Sequence, residues 1–278
     1  MNELTSAVEL NVAAALAEDI GGGDWTAELI PPATAASAQV ITRNDAVICG
    51  APWFDACFRR LDPAVTIKWT VKEGESVQAG QTLVTLHGTA RALLSGERTG
   101  LNFLQLLSAV ATVTHGYVNA VAGTQARIVD TRKTLPGLRL AQKYAVRMGG
   151  GVNHRMGLYD AILIKENHIA AAGGVDAALR EAARVAAPGV WTQIEVETFD
   201  QLRAALGAGA KMILLDNMNP GQMAEAVKIT AGRAELEASG GITLENVRAI
   251  ALTGVDRISI GALTKDIKAV DLSMRFDR

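Results

Sequence analysis

The stretch Asp130-Thr131-Arg132-Lys133-Thr134-Leu135-Pro136-Gly137-Leu138-Arg139 decides the fold, because it sets two cations where an apolar run, Ala126-Arg127-Ile128-Val129, ends. A β-branched apolar run closed by Thr and Pro-Gly reads as a buried strand leaving its sheet, with Pro136 and Leu138 opening a helix. Cations at such a strand end suit an anion. The same layout recurs downstream: Ala161 to Ile164 ends on Lys165, Trp191 to Ile194 on Glu195, and Met212 to Leu215 on Asp216. Leu236 to Ala238 then ends on Ser239-Gly240-Gly241, and Arg257 to Ile260 on Gly261. Six such strands, each closed by a charged, hydroxyl or glycine residue, form the pattern of an α/β barrel that keeps its chemistry on one face. Helical patterns fall between them at Val175 to Ala186, Phe199 to Leu206, Gln222 to Thr230 and Leu244 to Leu252, which is the βα repeat of a parallel sheet with helical cover.

Residues before about Arg91 read differently. An amphipathic helix near Leu4 to Glu18 is followed by Gly21-Gly22-Gly23-Asp24 and Pro31-Pro32 as punctuation. Strand-like runs come next, at Gln39 to Thr42 and Thr66 to Val71, and then Lys72 to Leu83, whose glycines fall at turns as in biotinyl and lipoyl domains. A swinging-arm carrier would need its lysine at a hairpin tip, and Lys72 sits at a strand end, so a β-rich docking domain is the better reading. The run from Leu101 to Ala126 carries no formal charge, but Asn102, Gln105, His115 and Asn119 interrupt it. It reads as buried helix at a subunit contact, not as a membrane span.

The 278 residues, 49% of them hydrophobic, can bury a large core and hold one large domain beside a smaller one. Lys+Arg 27 against Asp+Glu 29 gives a net charge of -2, which argues against general attraction to nucleic acid or acidic membranes. Any anion site must be local. Cys49 and Cys57 form no CxxC pair and, with no signal peptide ahead of them, read as buried reduced thiols of a cytoplasmic protein.

Within the cationic span, Arg139, Lys143 and Arg147 fall at helical spacing and read as a solvated stripe. Arg132, Lys133 and Lys165 sit at strand ends, where a guanidinium suits bidentate carboxylate or phosphate contacts and an ammonium acts as a point charge. Gly149-Gly150-Gly151-Val152-Asn153-His154-Arg155 matches neither the dinucleotide fingerprint nor a Walker loop, and its His-Arg pair suits an anion-facing loop. Glu195 and Asp216 close neighbouring strands. Paired carboxylates in a cationic site suit a divalent metal held through phosphates or a developing positive carbon centre. Glu197 shares the strand face of Glu195, and spacing does not choose between them. Ser239-Gly240-Gly241 and Gly261-Ala262 come where barrels commonly build a phosphate site from backbone N–H groups.

Taken in order, these segments resemble the quinolinate phosphoribosyltransferase family, also called nicotinate-nucleotide pyrophosphorylase (carboxylating). Ser95-Gly96-Glu97-Arg98-Thr99, Asp130 to Arg139, Gly149 to Arg155, Ile164-Lys165-Glu166-Asn167-His168, Leu214-Leu215-Asp216-Asn217-Met218, Glu237 to Gly241 and Gly261-Ala262-Leu263-Thr264 carry the resemblance. It implies an N-terminal open α/β sandwich over residues 1–105 and an incomplete, seven-stranded α/β barrel over 106–264, with 265–278 returning to the front domain. It also implies transfer of phosphoribose from phosphoribosyl pyrophosphate (PRPP) to quinolinate with loss of CO₂, using Mg²⁺, in a homodimer or hexamer with shared active sites. By motif, Arg132, His154, Arg155 and Lys165 would hold the quinolinate carboxylates, joined by Arg98 of the neighbouring subunit. Lys133 would reach both substrates, Glu195 and Asp216 would face ribose and metal, and Ser239, Gly240 and Gly261 would cradle the 5′-phosphate. Family members commonly carry histidine after Gly-Ala-Leu-Thr, whereas this chain has Lys265. Two other readings stand beside this one: a sister pyrophosphorylase of molybdate-uptake systems with another acceptor, and a barrel aldolase using Lys165 as a Schiff-base lysine.

Overall fold

Backbone pairing divides the chain into an antiparallel and a parallel sheet, in a computed structural model that describes residues 3–277. Two compact units result. One comprises the chain up to His115, Thr134–Gly150 and the chain from Leu263; the other comprises Gly116–Lys133 and Gly151–Ala262.

In the first unit, β1 (Ala35–Thr42) alternates buried and half-exposed residues from Ala38 to Thr42, the period-2 pattern of a sheet with one face on the core. Its partners are β5 (Thr82–Thr89) and β12 (Leu272–Phe276), both antiparallel, while β3 (Thr66–Trp69) pairs with the far edge of β5. A short ladder of β2 (Ala46–Val47) and β4 (Ser76–Val77) sits apart from this sheet. The core gathers Phe54, Phe58, Leu83, Leu86, Leu93 and Leu104, with Phe54 and Phe58 ring centroids 4.8 Å apart. Helices α1 (Glu3–Ile20), α2 (Ala51–Leu61) and α4 (Arg139–Met148) belong to this unit, and α3 (Ala90–Ala120) is shared by the two. Among the described residues no helix is long and apolar enough to cross a membrane.

The expected solvated stripe on α4 does not form. Lys143 is 1% exposed on a face that also buries Gln142 and Val146, and of the three cations only Arg147 is exposed, over the Tyr144 ring. Helix α2 starts under a side chain remote in sequence. The Glu73 carboxylate accepts from the Gly50 and Ala51 N–H groups (2.9 and 2.5 Å) and from the Tyr144 hydroxyl (3.2 Å), filling the place of an N-cap where Gly50 has no side chain. Burial pushes the Glu73 carboxyl up in spite of these bonds. Cys49 and Cys57 are both free and buried; desolvation raises both thiols, Cys57 to about 12.

The second unit holds a parallel sheet in the order β6 (Arg127–Val129), β11 (Arg257–Ser259), β10 (Glu235–Ser239), β9 (Met212–Asp216), β8 (Trp191–Val196) and β7 (Ala161–Ile164). Its two end strands do not pair with each other, so the sheet stays open. The expected seventh strand is reduced to one parallel bridge, Val152 to Val129. Asn153 and His154, next in the chain, give their donors to the Asp130 carboxylate, and no ladder continues there. Between the strands lie α5 (Glu166–Ala172), α6 (Val175–Val185), α7 (Phe199–Gly207), α8 (Pro220–Thr230) and α9 (Val247–Ala251), followed by α10 (Ala262–Lys265). Reciprocal capping boxes start α7 at Thr198 with Gln201 and α8 at Asn219 with Gln222. Helix α9 is shorter than its apolar pattern, because Asn246 Oδ1 accepts from the Thr243 N–H and holds the preceding residues as a turn.

Removing the Glu73 cap leaves two amides and a hydroxyl without their acceptor. Glu73→Ala is expected to lower stability by about 1–3 kcal/mol in urea unfolding, and Glu73→Gln, which keeps one acceptor oxygen, by less. An unchanged urea midpoint in Glu73→Ala would show that the cap contributes nothing.

Candidate active site

Alternation along the parallel strands sends every second side chain to the inside, and the last two inward positions of each strand form two tiers. The outer tier holds Lys165 just past β7, Glu195 on β8, Asp216 on β9 and Ser239 on β10. The inner tier holds Leu163, Leu214, Glu237 and Ser259, and all eight line one cavity of about 310 Å³. Asp130 to Lys133, His154 and Arg155 complete its wall. Sequence reasoning named Arg132, Lys133, His154, Arg155, Lys165, Glu195, Asp216 and Ser239, and the fold brings these eight together.

Local bonds fix the cationic wall. Asp130 is fully buried, and its two carboxylate oxygens accept from the His154 N–H (2.8 Å) and from Asn153 Nδ2 (2.6 Å). Thr131 Oγ1 accepts from the Lys133 N–H (3.0 Å), turning the chain so that the Lys133 stem lies against Gly261. A Cβ at Gly261 would come within 3.0 Å of Lys133 Cδ. Arg155 Nη1 donates to the Ala161 carbonyl (3.0 Å), and Asp160 accepts from the Met156 and Gly157 N–H groups to close the turn that follows. Burial and the neighbouring Arg132 both lower the Arg155 guanidinium from its ordinary value, and the Asp160 carboxylate pulls it part of the way back. Both nitrogens of the His154 ring are engaged within the unit: Nδ1 with the Arg155 N–H and Nε2 with Gln193 Oε1, each at 2.8 Å.

Opposite the cations stand the carboxylates. Glu195 Oε2 lies 3.6 Å from Lys165 Nζ. Burial raises the Glu195 carboxyl above its ordinary value, Lys165 pulls it back, and Asp216 and Glu166 push it up again. Asp216 Oδ2 accepts from Asn217 Nδ2 (2.8 Å), and Asn217 takes a left-handed backbone (φ 53°) that asparagine tolerates better than most residues. Gly240, itself at φ 98°, leaves room for the Asn217 amide, which any Cβ there would strike. Glu197 is exposed beyond the end of β8, with its N–H bonded to Gln201, so Glu195 is the glutamate of the cavity.

Arg98 is exposed on α3 and belongs to the other unit, as does Lys265, whose ammonium contacts Asp266 at 2.9 Å. Asp130, Gln193, Asn217 and Glu237 were not singled out from sequence. A carboxylate just before a cationic turn, the residues two before Glu195 and Ser239, and the residue after Asp216 were the signals available for them.

Parallel strands ending in cations, paired carboxylates and a glycine-flanked serine define an α/β-barrel-type enzyme that handles anionic substrates. Two family models cover nearly all of the chain: quinolinate phosphoribosyl transferase, N-terminal domain, over residues 24–108, and the C-terminal domain of the same family over residues 110–275. The chain belongs to the quinolinate phosphoribosyltransferase family. It is 45% identical over 270 residues to the nicotinate-nucleotide pyrophosphorylase (carboxylating) of Mycobacterium leprae, covering 94% of each. It is 38% identical over 283 residues to a mitochondrial quinolinate phosphoribosyltransferase (decarboxylating) of Nicotiana tabacum, covering 95% of this chain and 80% of that one. Among solved structures, the nicotinate-nucleotide pyrophosphorylase of Francisella tularensis superposes with a TM-score of 0.95 at 44% identity, covering 98% of this chain and 97% of that one.

The charge balance at Glu195 is open to direct measurement. Removing the Lys165 cation leaves burial, Asp216 and Glu166, which all raise the carboxyl. Lys165→Met is therefore expected to move the Glu195 midpoint to higher pH in a ¹³C carboxyl titration of the substrate-free protein. A midpoint that stays put or falls would show that Lys165 does not act on Glu195.

Proposed function

We propose that this cavity transfers phosphoribose from PRPP to quinolinate, giving nicotinate mononucleotide, pyrophosphate and CO₂ in NAD biosynthesis. The observation that carries the reading is the facing of Arg132, Lys133, Arg155 and Lys165 against Glu195 and Asp216 in one cavity of a chain with net charge -2. Quinolinate is a dianion and PRPP a polyanion. A slightly acidic protein brings them together only through a local concentration of cations.

In this reading Arg132, Arg155 and Lys165, with His154 beside them, hold the two quinolinate carboxylates, and Lys133 reaches both substrates. Ser239, Gly240 and Gly261 receive the 5′-phosphate, where a small backbone lets the anion approach closely. As pyrophosphate leaves, positive charge develops at the anomeric carbon, and Glu195 and Asp216 stabilise it while the pyridine nitrogen attacks. The quaternary nitrogen then stabilises, as an ylide, the electron pair left on the adjacent ring carbon when its carboxylate departs as CO₂, and that carbon takes up a proton from water to give the product. No organic cofactor is required. Removing one preorganised charge from such a site typically costs about 10²- to 10³-fold in rate.

Among the described residues no group of three or more His, Cys, Asp or Glu could hold a metal ion by itself. That donor set fits Mg²⁺, which binds through one or two carboxylates plus substrate phosphates. Glu195 and Asp216 would hold it, and when bound it would supply neutralising charge for the departing pyrophosphate. We further take the protein as cytoplasmic, where its two buried free thiols stay reduced.

CO₂ release is expected only when quinolinate, PRPP and Mg²⁺ are all present, with nicotinate mononucleotide identified by mass spectrometry. Equal turnover with nicotinate would overturn the assignment, because the cation set would have no second carboxylate to read.

The assembly proposed with this reading is an isologous dimer, alone or within a hexamer, in which exposed Arg98 enters the partner's cavity. Arg98→Ala and Lys133→Ala should each be nearly inactive. Refolded together, half of randomly paired dimers are mixed, and each mixed dimer has one intact site, so activity should recover to roughly a quarter of wild type. A mixture as inactive as its parents, with subunit exchange demonstrated, rules out the shared site.

A further inference from the structure

A chain of charged and polar groups runs through the interior of the parallel sheet and ends on His154. Arg127 Nη2 contacts Glu235 Oε1 at 2.8 Å, and Glu235 Oε2 lies 3.9 Å from Arg257 Nη1. Arg257 Nε donates to Glu237 Oε2 at 2.9 Å, and Gln193 Nε2 donates to the same oxygen at 3.2 Å. Gln193 Oε1 then meets His154 Nε2 at 2.8 Å. From Arg257 inward every member is buried, with Glu237 at 0% and Gln193 at 1% exposure. Buried polar groups in a parallel sheet are costly unless each is satisfied, so a fully buried Glu–Gln pair here calls for an explanation.

Donor and acceptor chemistry leaves one proton arrangement. A guanidinium only donates and a carboxylate only accepts, so Gln193 must turn its NH₂ toward Glu237 and its oxygen toward His154. That oxygen accepts, so Nε2 carries hydrogen. On the other side of the ring the Arg155 backbone N–H points at Nδ1 from 2.8 Å, and a backbone amide only donates, so Nδ1 carries none. The imidazolium would set two N–H groups against each other at Nδ1. Three neighbours do not relieve that conflict: Asp130 accepts from the His154 backbone N–H, Trp191 presents its ring edge-on with centroids 5.1 Å apart, and Arg155 is itself cationic. Glu237 Oε1 is 3.7 Å from Nε2 and sits on the side already served by Gln193.

We infer that Gln193 and Glu237 are positioning residues that hold His154 as the neutral Nε2–H tautomer, so that His154 orients the Arg155 peptide and adds no charge to the cavity. The cations that read the substrate carboxylates are then Arg132, Lys133, Arg155 and Lys165, and the histidine sets where Arg155 stands. The inference deepens the quinolinate reading and rests on it only for its kinetic arm.

The structural arm needs no substrate. In the ¹⁵N-histidine spectrum of the full chain at neutral pH, His154, assigned among the four histidines by its loss in His154→Gln, should show an unprotonated Nδ1 and a protonated Nε2. A cationic ring, or a proton on Nδ1, overturns the inference whatever the activity proves to be. In the kinetic arm, Gln193→Met keeps the side-chain length and removes the acceptor. It should raise the KM for quinolinate about tenfold, the worth of one buried hydrogen bond, with kcat and the KM for PRPP within about twofold of wild type. An equal loss toward PRPP, or a fall confined to kcat, would show a general structural role instead. Should Gln193→Met fail to fold, the wild-type spectrum still decides. Should the chain show no transferase activity at all, the functional reading falls while the spectrum continues to test the relay.

Discussion

The carboxylate of Asp130 is the tie on which the cavity depends. It sits at the end of β6, fully buried, and accepts from both Asn153 and His154. Those bonds bring the segment from Val152 to His154 to the edge of the sheet, beside the Val152 bridge and the His154–Gln193 bond. A buried carboxylate is tolerable only when its oxygens are satisfied, so the same bonds that stabilise the charge also set the loop. Arg132 follows two residues after Asp130 and Arg155 one residue after His154. A single buried anion therefore fixes the spacing of two surface-seeking cations.

That arrangement stores electrostatic tension. Burial and then the Arg132 charge lower the Arg155 guanidinium, and Glu195 is raised by burial and by Asp216. Like charges gathered in one cavity are unfavourable by themselves, and here the Lys165–Glu195 pair joins the two kinds. Anionic ligands relieve the cations, and positive charge relieves the carboxylates. A site that holds both kinds of charge gains most from ligands carrying both features, and this is the sense in which its charges are preorganised.

Much of this was legible in the sequence because strand ends announce themselves by charge. Lys165 and Asp216 follow unbroken apolar runs, Glu195 and Ser239 follow strand-like runs that also carry Gln193 and Glu237, and period 2 then sends all four inward together. Other features depend on partners far along the chain. Lys143 has the spacing of a solvated helix stripe and is buried, since helical periodicity says which residues share a face and not whether that face is covered. The seventh strand shrank to Val152 because its neighbours bond to a side chain, Asp130, more than twenty residues earlier. Glu73 caps a helix that begins twenty-two residues before it, so no local capping signal precedes Ala51.

The two inward tiers divide the work. The outer tier carries Lys165, Glu195, Asp216 and Ser239, and these were found from sequence because each is a polar residue where a strand ends. The inner tier carries Glu237, flanked in sequence by Leu236 and Ala238, with Gln193 and Arg257 beside it in the sheet interior. There a single polar side chain reads as an irregularity and not as part of a motif. Only the fold shows that these polar residues, from different strands, meet and bond through Glu237 Oε2, while Glu237 Oε1 stays buried without a hydrogen-bond partner among the described residues. Buried polar groups of this kind make poor stabilisers compared with packed hydrocarbon, but they admit few alternative arrangements. For a cavity that must hold like charges a few ångströms apart, fixing one arrangement matters more than adding stability, and the protons of the inner tier do that for the residues above them.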